Sequence, residues 1–362
     1  MNWQENVRRV EPYVAGEQPQ DPNVIKLNTN ECPYPPAPGV AEAARTLADD
    51  YDRMRLYPDM NASALVQALA GRYQVRPEQI FVGVGSDDVL AMAFLTFFTS
   101  GKRLLFPDIT YSFYDVWAEL YRIPNTQVPL QEDFTICPED YIPGSGTWKG
   151  DEVPGGGIIF PNPNAPTGRE LPLSDIERVV AANPDKVVIV DEAYVDFGAV
   201  SAVPLLDKYE NLLVVQTFSK SRAMAGARIG FAIGNATLIG YLKDVKFSFN
   251  SYTMNLQTIR MGTAAVEDEA YFKRLTSQIV ETRTWFEKEL TRLGFVYPES
   301  KANFVFARHP GHSGQELFDA LRKRNIFVRH WNKPRIGEYL RITIGTDAQM
   351  KAVVKALEEI LA

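Results

Sequence analysis

The chain has 362 residues, 45% hydrophobic and 23% charged, with 38 Lys+Arg against 45 Asp+Glu for a formal net charge of −7. That composition is of a soluble globular protein; it excludes disordered and collagen-like chains, and a mildly acidic chain without a long basic run does not suit a dedicated nucleic-acid or anionic-membrane surface. The two cysteines, Cys32 and Cys137, are far apart and form no CxxC, which argues against a disulfide framework or a cysteine zinc site and fits a reducing compartment.

The opening segment MNWQENVRRVEPYV has neither the apolar core nor the small-residue cleavage site of a secretory signal. The strongest apolar stretch, Leu90–Phe98, is far short of the roughly 20 residues a membrane span needs, so the expected location is the cytoplasm. Residues 1–40 are polar and carry Pro33, Pro35, Pro36 and Pro38; they read as an extended arm and not as a packed element.

Alternating elements follow: a strand at Ile80–Val84, a helix at Ser86–Phe98, a strand at Arg103–Phe106 and an aromatic-rich helix at Ser112–Arg122. Gly157–Phe160, Val187–Val190 and Leu212–Thr217 are apolar runs of strand length. Between the first two of these, Ser174–Ala182 reads as a helix with Ser174 as N-cap and Glu177 completing a capping box. Continuous apolar strands alternating with helices predict an α/β fold with a mostly parallel sheet covered on both faces. The glycine-rich segment Pro143–Gly157 reads as an exposed loop.

Beyond about residue 250 the pattern becomes long and helical over Thr253–Leu293, with Leu275, Ile279, Phe286 and Leu290 near helical spacing. A strand at Asn303–Ala307, a helix at Gln315–Arg324, strands at Ile326–Arg329 and Tyr339–Ile344, and a final helix from Asp347 complete a smaller α+β unit. The expected organisation is an arm (1–40) packing on the active site, a large domain (41–250) and a small C-terminal domain (251–362).

The chain has no GxSxG elbow, no GxxxxGK[ST] loop and no HExxH. His309 and His312 flank Pro310-Gly311 and do not share a helix face, so no metal site is expected. What the sequence carries is a series of loops after strands. Gly83-Val84-Gly85-Ser86-Asp87 is a strand–helix turn whose amides suit a phosphate, or simply a turn. Pro161-Asn162-Pro163-Asn164-Ala165-Pro166-Thr167-Gly168 is a stiff loop, either amide-presenting or a rigid crossover. Asp191, closing Val187–Val190, sits where open α/β sheets bind ligands, or serves as a helix cap. Lys220, beyond Leu212–Val215, is placed to be desolvated and nucleophilic, with Arg228 near enough to share its pocket. Amine, acid, cations and amides in one pocket are what pyridoxal 5′-phosphate requires.

With these residues the chain resembles the fold-type I pyridoxal-phosphate-dependent aminotransferases over nearly its whole length. The resemblance is carried by Lys26–Tyr34 (KLNTNECPY), Leu56-Tyr57-Pro58-Asp59, Gly85-Ser86-Asp87-Asp88, the NPNAPTG loop, Asp191–Tyr194, Ser219-Lys220, Arg228 and Leu340–Gly345. Within that group the arm and the C-terminal arginines are most similar to histidinol-phosphate aminotransferases. The resemblance implies Lys220 as the catalytic residue that joins the cofactor aldehyde and then moves the proton. It implies Asp191 on the pyridine nitrogen, Tyr194 on the ring 3-oxygen and Tyr111 against the ring face. Gly85, Ser86, Asp87, Ser219 and Arg228 would hold the phosphate, and Tyr57 would reach the phosphate of a neighbouring subunit in a homodimer.

Ala165 stands where much of the family has an asparagine on the 3-oxygen; either Asn164 shifts to serve or Tyr194 acts with less help. Arg329 and Arg341 would grip the substrate anion, with Tyr13 and Asn30 of the arm closing over it. The implied reaction exchanges the amino group of L-histidinol phosphate with 2-oxoglutarate in histidine biosynthesis. An aromatic amino-acid aminotransferase and, further off, a phosphoamino-acid decarboxylase keep the same fold. A non-catalytic cofactor sensor lacks room for a DNA-binding domain, and a phosphate-binding protein leaves Lys220 unexplained.

Overall fold

The computed structural model describes residues 2–21, 23–145 and 155–362, with twelve strands and ten α-helices among them. A short strand β1 (Ile25–Lys26) and helices α1 (Pro38–Asp49) and α2 (Ser63–Tyr73) precede the main sheet. That sheet contains β2 (Ile80–Gly83), β3 (Leu104–Pro107), β4 (Asn125–Val128), β5 (Gly157–Pro161), β6 (Val188–Asp191), β7 (Leu212–Thr217) and β8 (Gly230–Gly234). Around it lie α3 (Ser86–Phe97), α4 (Phe113–Tyr121), α5 (Leu173–Ala182), α6 (Ala236–Phe249) and α7 (Leu256–Glu267). The C-terminal body holds α8 (Glu269–Arg292), β9 (Phe304–Ala307), α9 (Gly314–Arg322), β10 (Ile326–Phe327), β11 (Arg329–His330), β12 (Leu340–Thr343) and α10 (Asp347–Leu361).

The main sheet runs β2-β8-β7-β6-β5-β3-β4, parallel throughout except where β8 lies antiparallel to both neighbours. Its strands are buried on both faces because alternate residues enter two different cores: Val188 and Val190 pack on one side and Ile189 on the other. Strand order reverses between β3 and β5, so the loops after them diverge and open a crevice at the carboxyl edge, the place where such sheets bind ligands. Because β2 runs in the same sense as β7, Gly83–Asp87 joins that edge, and the antiparallel β8 brings Arg228 there from its entering end. One sheet edge thus collects every motif singled out after a strand.

A second core forms between α8, α9, α10 and the antiparallel sheet β11-β12-β9. Leu275, Ile279, Phe286 and Leu290 of α8 face it, as their spacing predicts. Helix α7 packs instead on α1 and α2 and shares the main core through Ile259, Ala265 and Val266.

The structure departs from the sequence reading at several points. Helix α5 starts at Leu173 after Pro172, with no side-chain cap; Ser174 lies inside its first turn, and Glu177 accepts from Lys208 and Tyr209 instead. Proline supplies the extended conformation that ends the preceding chain, so the helix begins two residues earlier than a cap at Ser174 requires. The expected strand Ile326–Arg329 divides in two, because β10 pairs with β1 while β11 pairs with β12; the chain changes partners at the buried Val328. Residues 25–30 are packed: β1 joins β10, and Leu27, Asn28 and Asn30 are buried. Most of the expected Pro143–Gly157 loop lies outside the described residues.

Candidate active site

A cavity of about 180 Å³ opens at the carboxyl edge between the ends of β2, β6 and β7. One end is the start of α3, with Ser86, Asp87 and Arg228 in the wall. Two glycines let the backbones close there. A Cβ on Gly85, at φ +90°, would lie 2.4 Å from Arg228 Nη2, and one on Gly230 would lie 2.2 Å from the Ser86 nitrogen. Arg228 Nη2 donates to Asp87 Oδ2 (3.1 Å), and Tyr111 Oη donates to Asp87 Oδ1 (2.7 Å). Ser219 is held by Thr217, whose Oγ1 donates to Ser219 Oγ (3.0 Å).

Asp191 ends β6 and is 4% exposed. Its carboxylate accepts from Tyr114 Oη (2.8 Å) and from the Ala193 amide (3.3 Å). Burial raises its pKa to about 6, against these two bonds, so an added cation beside it would be strongly favoured. Across the cavity Lys220 Nζ donates to the Thr29 carbonyl (3.0 Å). Burial, and then the Arg341 charge, lower its pKa to about 8, with Glu31 and Asp87 opposing. A fraction of Lys220 is therefore a neutral, nucleophilic amine at neutral pH. Tyr194 accepts from Asn30 Nδ2 (2.9 Å) and meets Phe304 edge-on at 5.1 Å.

Beyond Lys220 the cavity continues into an outer cleft of about 480 Å³ that reaches Tyr13 of the arm, Arg329, Trp331 and Arg341. Arg329 and Arg341 are register partners on β11 and β12, so their side chains leave the same sheet face side by side. Arg341 Nη2 donates to the Asn28 carbonyl (2.8 Å), while its Nε is buried without a partner. Burial pushes the Arg341 guanidinium below its ordinary value, and Arg329 adds to the push against Tyr194. Among the described residues neither arginine has a carboxylate partner. Two cations held together without an anion form a site for one.

The sheet edge thus brings together Ser86, Asp87, Tyr111, Asp191, Tyr194, Ser219, Lys220 and Arg228, with Gly85 packed behind Arg228. The outer cleft adds Tyr13, Asn30, Arg329 and Arg341. Two expected residues lie elsewhere. Asn164 lines neither space: its Nδ2 donates to the Ile109 carbonyl (2.9 Å) and Thr167 (3.0 Å), and its Oδ1 accepts from Thr110 (3.0 Å). The amide is engaged by the loop after β3 and by Thr167 of its own loop, which favours the alternative in which Tyr194 acts with less help. Tyr57 is 82% exposed, stacks on Tyr252 and touches neither space of its own chain.

Sequence reasoning missed Tyr114, Thr29 and Trp331. Tyr114 lies three residues after Tyr111, and that spacing was the available signal. Thr29 acts through its carbonyl, which side-chain chemistry does not announce.

A desolvated lysine and a buried strand-end acid in one cavity, beside a helix start met by Arg228 on a mostly parallel sheet, define an α/β transferase that handles amino groups through a bound aldehyde. Residues 22–357 match the model of the family "Aminotransferase class I and II", and the chain belongs to that family. It is 53% identical over 359 residues to histidinol-phosphate aminotransferase 2 of Dechloromonas aromatica (strain RCB), covering 99% of this chain and 98% of that protein. It is likewise 53% identical to histidinol-phosphate aminotransferase of Aromatoleum aromaticum (strain DSM 19018 / LMG 30748 / EbN1), covering 99% of each. The crystal structure of histidinol-phosphate aminotransferase from Sinorhizobium meliloti in complex with pyridoxal-5′-phosphate shares the fold, with a TM-score of 0.82 at 24% identity, covering 93% of this chain and 90% of that one. Among the described residues no helix is long and apolar enough to cross a membrane, and no cluster of three His, Cys, Asp or Glu could hold a metal ion.

Proposed function

We propose that this aminotransferase uses pyridoxal 5′-phosphate to move the amino group of L-histidinol phosphate to 2-oxoglutarate, yielding imidazole acetol phosphate and L-glutamate. The residues fit the cofactor: an amine stands opposite a buried acid, and the cradle at Gly85 and Gly230 has no room for a Cβ. When bound, the cofactor supplies an aldehyde for the amino group and a ring that takes up the electron pair left by the departing Cα proton. Asp191 would hold the pyridinium nitrogen, its pKa restored downward by that charge. Ser86, Asp87, Ser219 and Arg228 would hold the phosphate, Tyr111 would cover the ring face, and Tyr194 would donate to the 3-oxygen.

Lys220 Nζ would carry the proton between the substrate carbon and the cofactor; a base so placed contributes roughly 10²–10⁴ in rate. The Thr29 carbonyl gives that amine a fixed resting position when it is free. Tyr13 and Asn30 would enclose the substrate and exclude water.

The observation that carries the substrate reading is the cross-strand pair Arg329–Arg341, with no acid partner among the described residues. Histidinol phosphate, which has no α-carboxylate, would place its phosphate there; the carboxylates of 2-oxoglutarate would use the same cations in the other half-reaction. The test is a donor panel of histidinol phosphate, phenylalanine, tyrosine and O-phosphothreonine with 2-oxoglutarate, compared by kcat/KM with carbon dioxide monitored. A preference for histidinol phosphate without gas release is expected. Preference for the aromatic donors, or release of carbon dioxide, would overturn the substrate or the reaction.

The reading includes a cytoplasmic homodimer in which Tyr57 reaches the partner's phosphate site. Tyr51, Met54, Leu56, Tyr57, Phe249 and Tyr252 are exposed, with Tyr57 stacked on Tyr252, and burial against a second copy would cover them. The arm and two domains are proposed as its working parts, with α7 counted in the large domain because of its packing on α1 and α2.

A further inference from the structure

The two cations of the outer cleft raise a physical problem. Like charges directly opposite on an antiparallel pair repel, and arginine side chains are long and mobile. A carboxylate between them would fix both, but it would also neutralise the site and compete with any ligand.

The chain holds them differently. Trp331, two residues past Arg329, sets its indole 5.4 Å from the Arg329 guanidinium and 5.2 Å from that of Arg341. Phe304 flanks Arg341 at 5.4 Å on a second ring. An aromatic face attracts a guanidinium through its quadrupole and leaves the positive charge unneutralised.

The indole is itself held in place. His330 Nε2 lies 2.7 Å from the Gly337 carbonyl and closes the loop that carries Trp331. Arg335, in a left-handed conformation at φ +65°, fastens that loop across the cleft to the large domain. It donates to Asp108 Oδ2 (3.2 Å) and to the carbonyls of Leu130 (2.9 Å) and Gln131 (2.7 Å), over the Phe134 ring.

We propose that Trp331 is the positioning residue of the anion site, orienting Arg329 and Arg341 toward one ligand without neutralising them, with Arg335 as the anchor of its loop. This rests on the transaminase reading above and adds to it the device that readies the arginines.

The test uses the cofactor-loaded enzyme with Trp331→Leu and Trp331→Phe. KM and kcat are measured for histidinol phosphate and 2-oxoglutarate, and inorganic phosphate is titrated as a competitive inhibitor. Trp331→Leu should raise both KM values and the phosphate inhibition constant together by about tenfold, with kcat within about twofold, while Trp331→Phe keeps most of the affinity. If Leu and Phe behave alike, or kcat falls with KM unchanged, the proposal is wrong. If only the histidinol-phosphate KM moves, the indole touches the substrate ring and does not organise the arginines, which also overturns it. If the Leu variant does not fold, Arg335→Lys should raise the same three constants by a smaller factor at unchanged kcat; no rise sinks the proposal. A wild-type enzyme that ignores histidinol phosphate refutes the substrate reading alone, because 2-oxoglutarate and inorganic phosphate still report on Trp331.

Discussion

The inner cavity and the outer cleft share Thr29, Tyr111, Ala165, Tyr194 and Lys220 as common walls, yet they treat charge in opposite ways. Inside, the polar groups are held by the chain itself: Arg228 pairs with Asp87, and Asp191 accepts from Tyr114. Outside, Arg329 and Arg341 have aromatic faces and a carbonyl but, among the described residues, no acid. A resident group can be met by side chains that are already held in place by one another, since it binds once and stays. A ligand that enters and leaves in every cycle is better met by cations that no internal anion must first release. The difference teaches that the two spaces are built for occupants of different lifetime.

The sharpest way to break the comparison is at the shared wall. Lys220→Ala should lower turnover by at least roughly 10⁴-fold while circular dichroism stays native, because it removes both the amine and the base. Appreciable residual transamination would remove Lys220 from the chemistry. Next in size is Arg341→Ala in the outer cleft. It should raise KM for both the phosphorylated donor and the keto-acid acceptor by about 100-fold, with cofactor affinity, followed by its visible absorbance, changed far less. Equal losses of both would mean that the two spaces are not electrostatically separate.

Asp191→Asn probes the inner cavity by stability. The folded pKa of Asp191 is raised from 3.8 to about 6, so its favourable contribution is present below the unfolded value and is lost as pH rises through about 6. In the cofactor-free chain at pH 8 the Asn variant should therefore be more stable by about 3 kcal/mol in urea unfolding, an advantage that shrinks toward pH 5. Added cofactor should reverse the order, and an advantage independent of pH would contradict the buried-acid argument. The smallest effect is expected from Tyr114→Phe, which removes one donor to that carboxylate. It should weaken cofactor binding by about tenfold while the keto-acid acceptor is captured almost as well as before, read as a nearly constant Michaelis constant.

Much of the site is legible in the sequence alone. The strand-end residues Asp191 and Lys220 can be placed because β6 and β7 are continuous apolar runs with abrupt polar ends. The strand β4, NTQV, escapes notice because it is a half-exposed edge strand without such a run. The antiparallel β8 and helices α1, α2 and α6 are also not foreseen; α2 and α6 lack a strongly one-sided apolar face. Ser174 misleads because its spacing to Glu177 fits a capping box while Pro172 decides where the helix begins. The arginine pair is the clearest limit. Arg329 and Arg341 are each visible as cations near strand ends, but their opposition depends on the chain changing sheets at Val328, a long-range pairing that no local pattern encodes.

The pairing of β1 with β10 has a consequence for how the protein is made. Ile25 lies opposite Ile326, the Thr343 amide donates to the Leu27 carbonyl, and the Asn30 amide donates to Thr343 Oγ1. The first of these residues leaves the ribosome about 300 residues before its mate, a wait of roughly 15–60 s at 5–20 residues per second. The segment that carries Asn30 is therefore synthesised long before the strands it docks on, and it stays undocked until β10 and β12 have emerged.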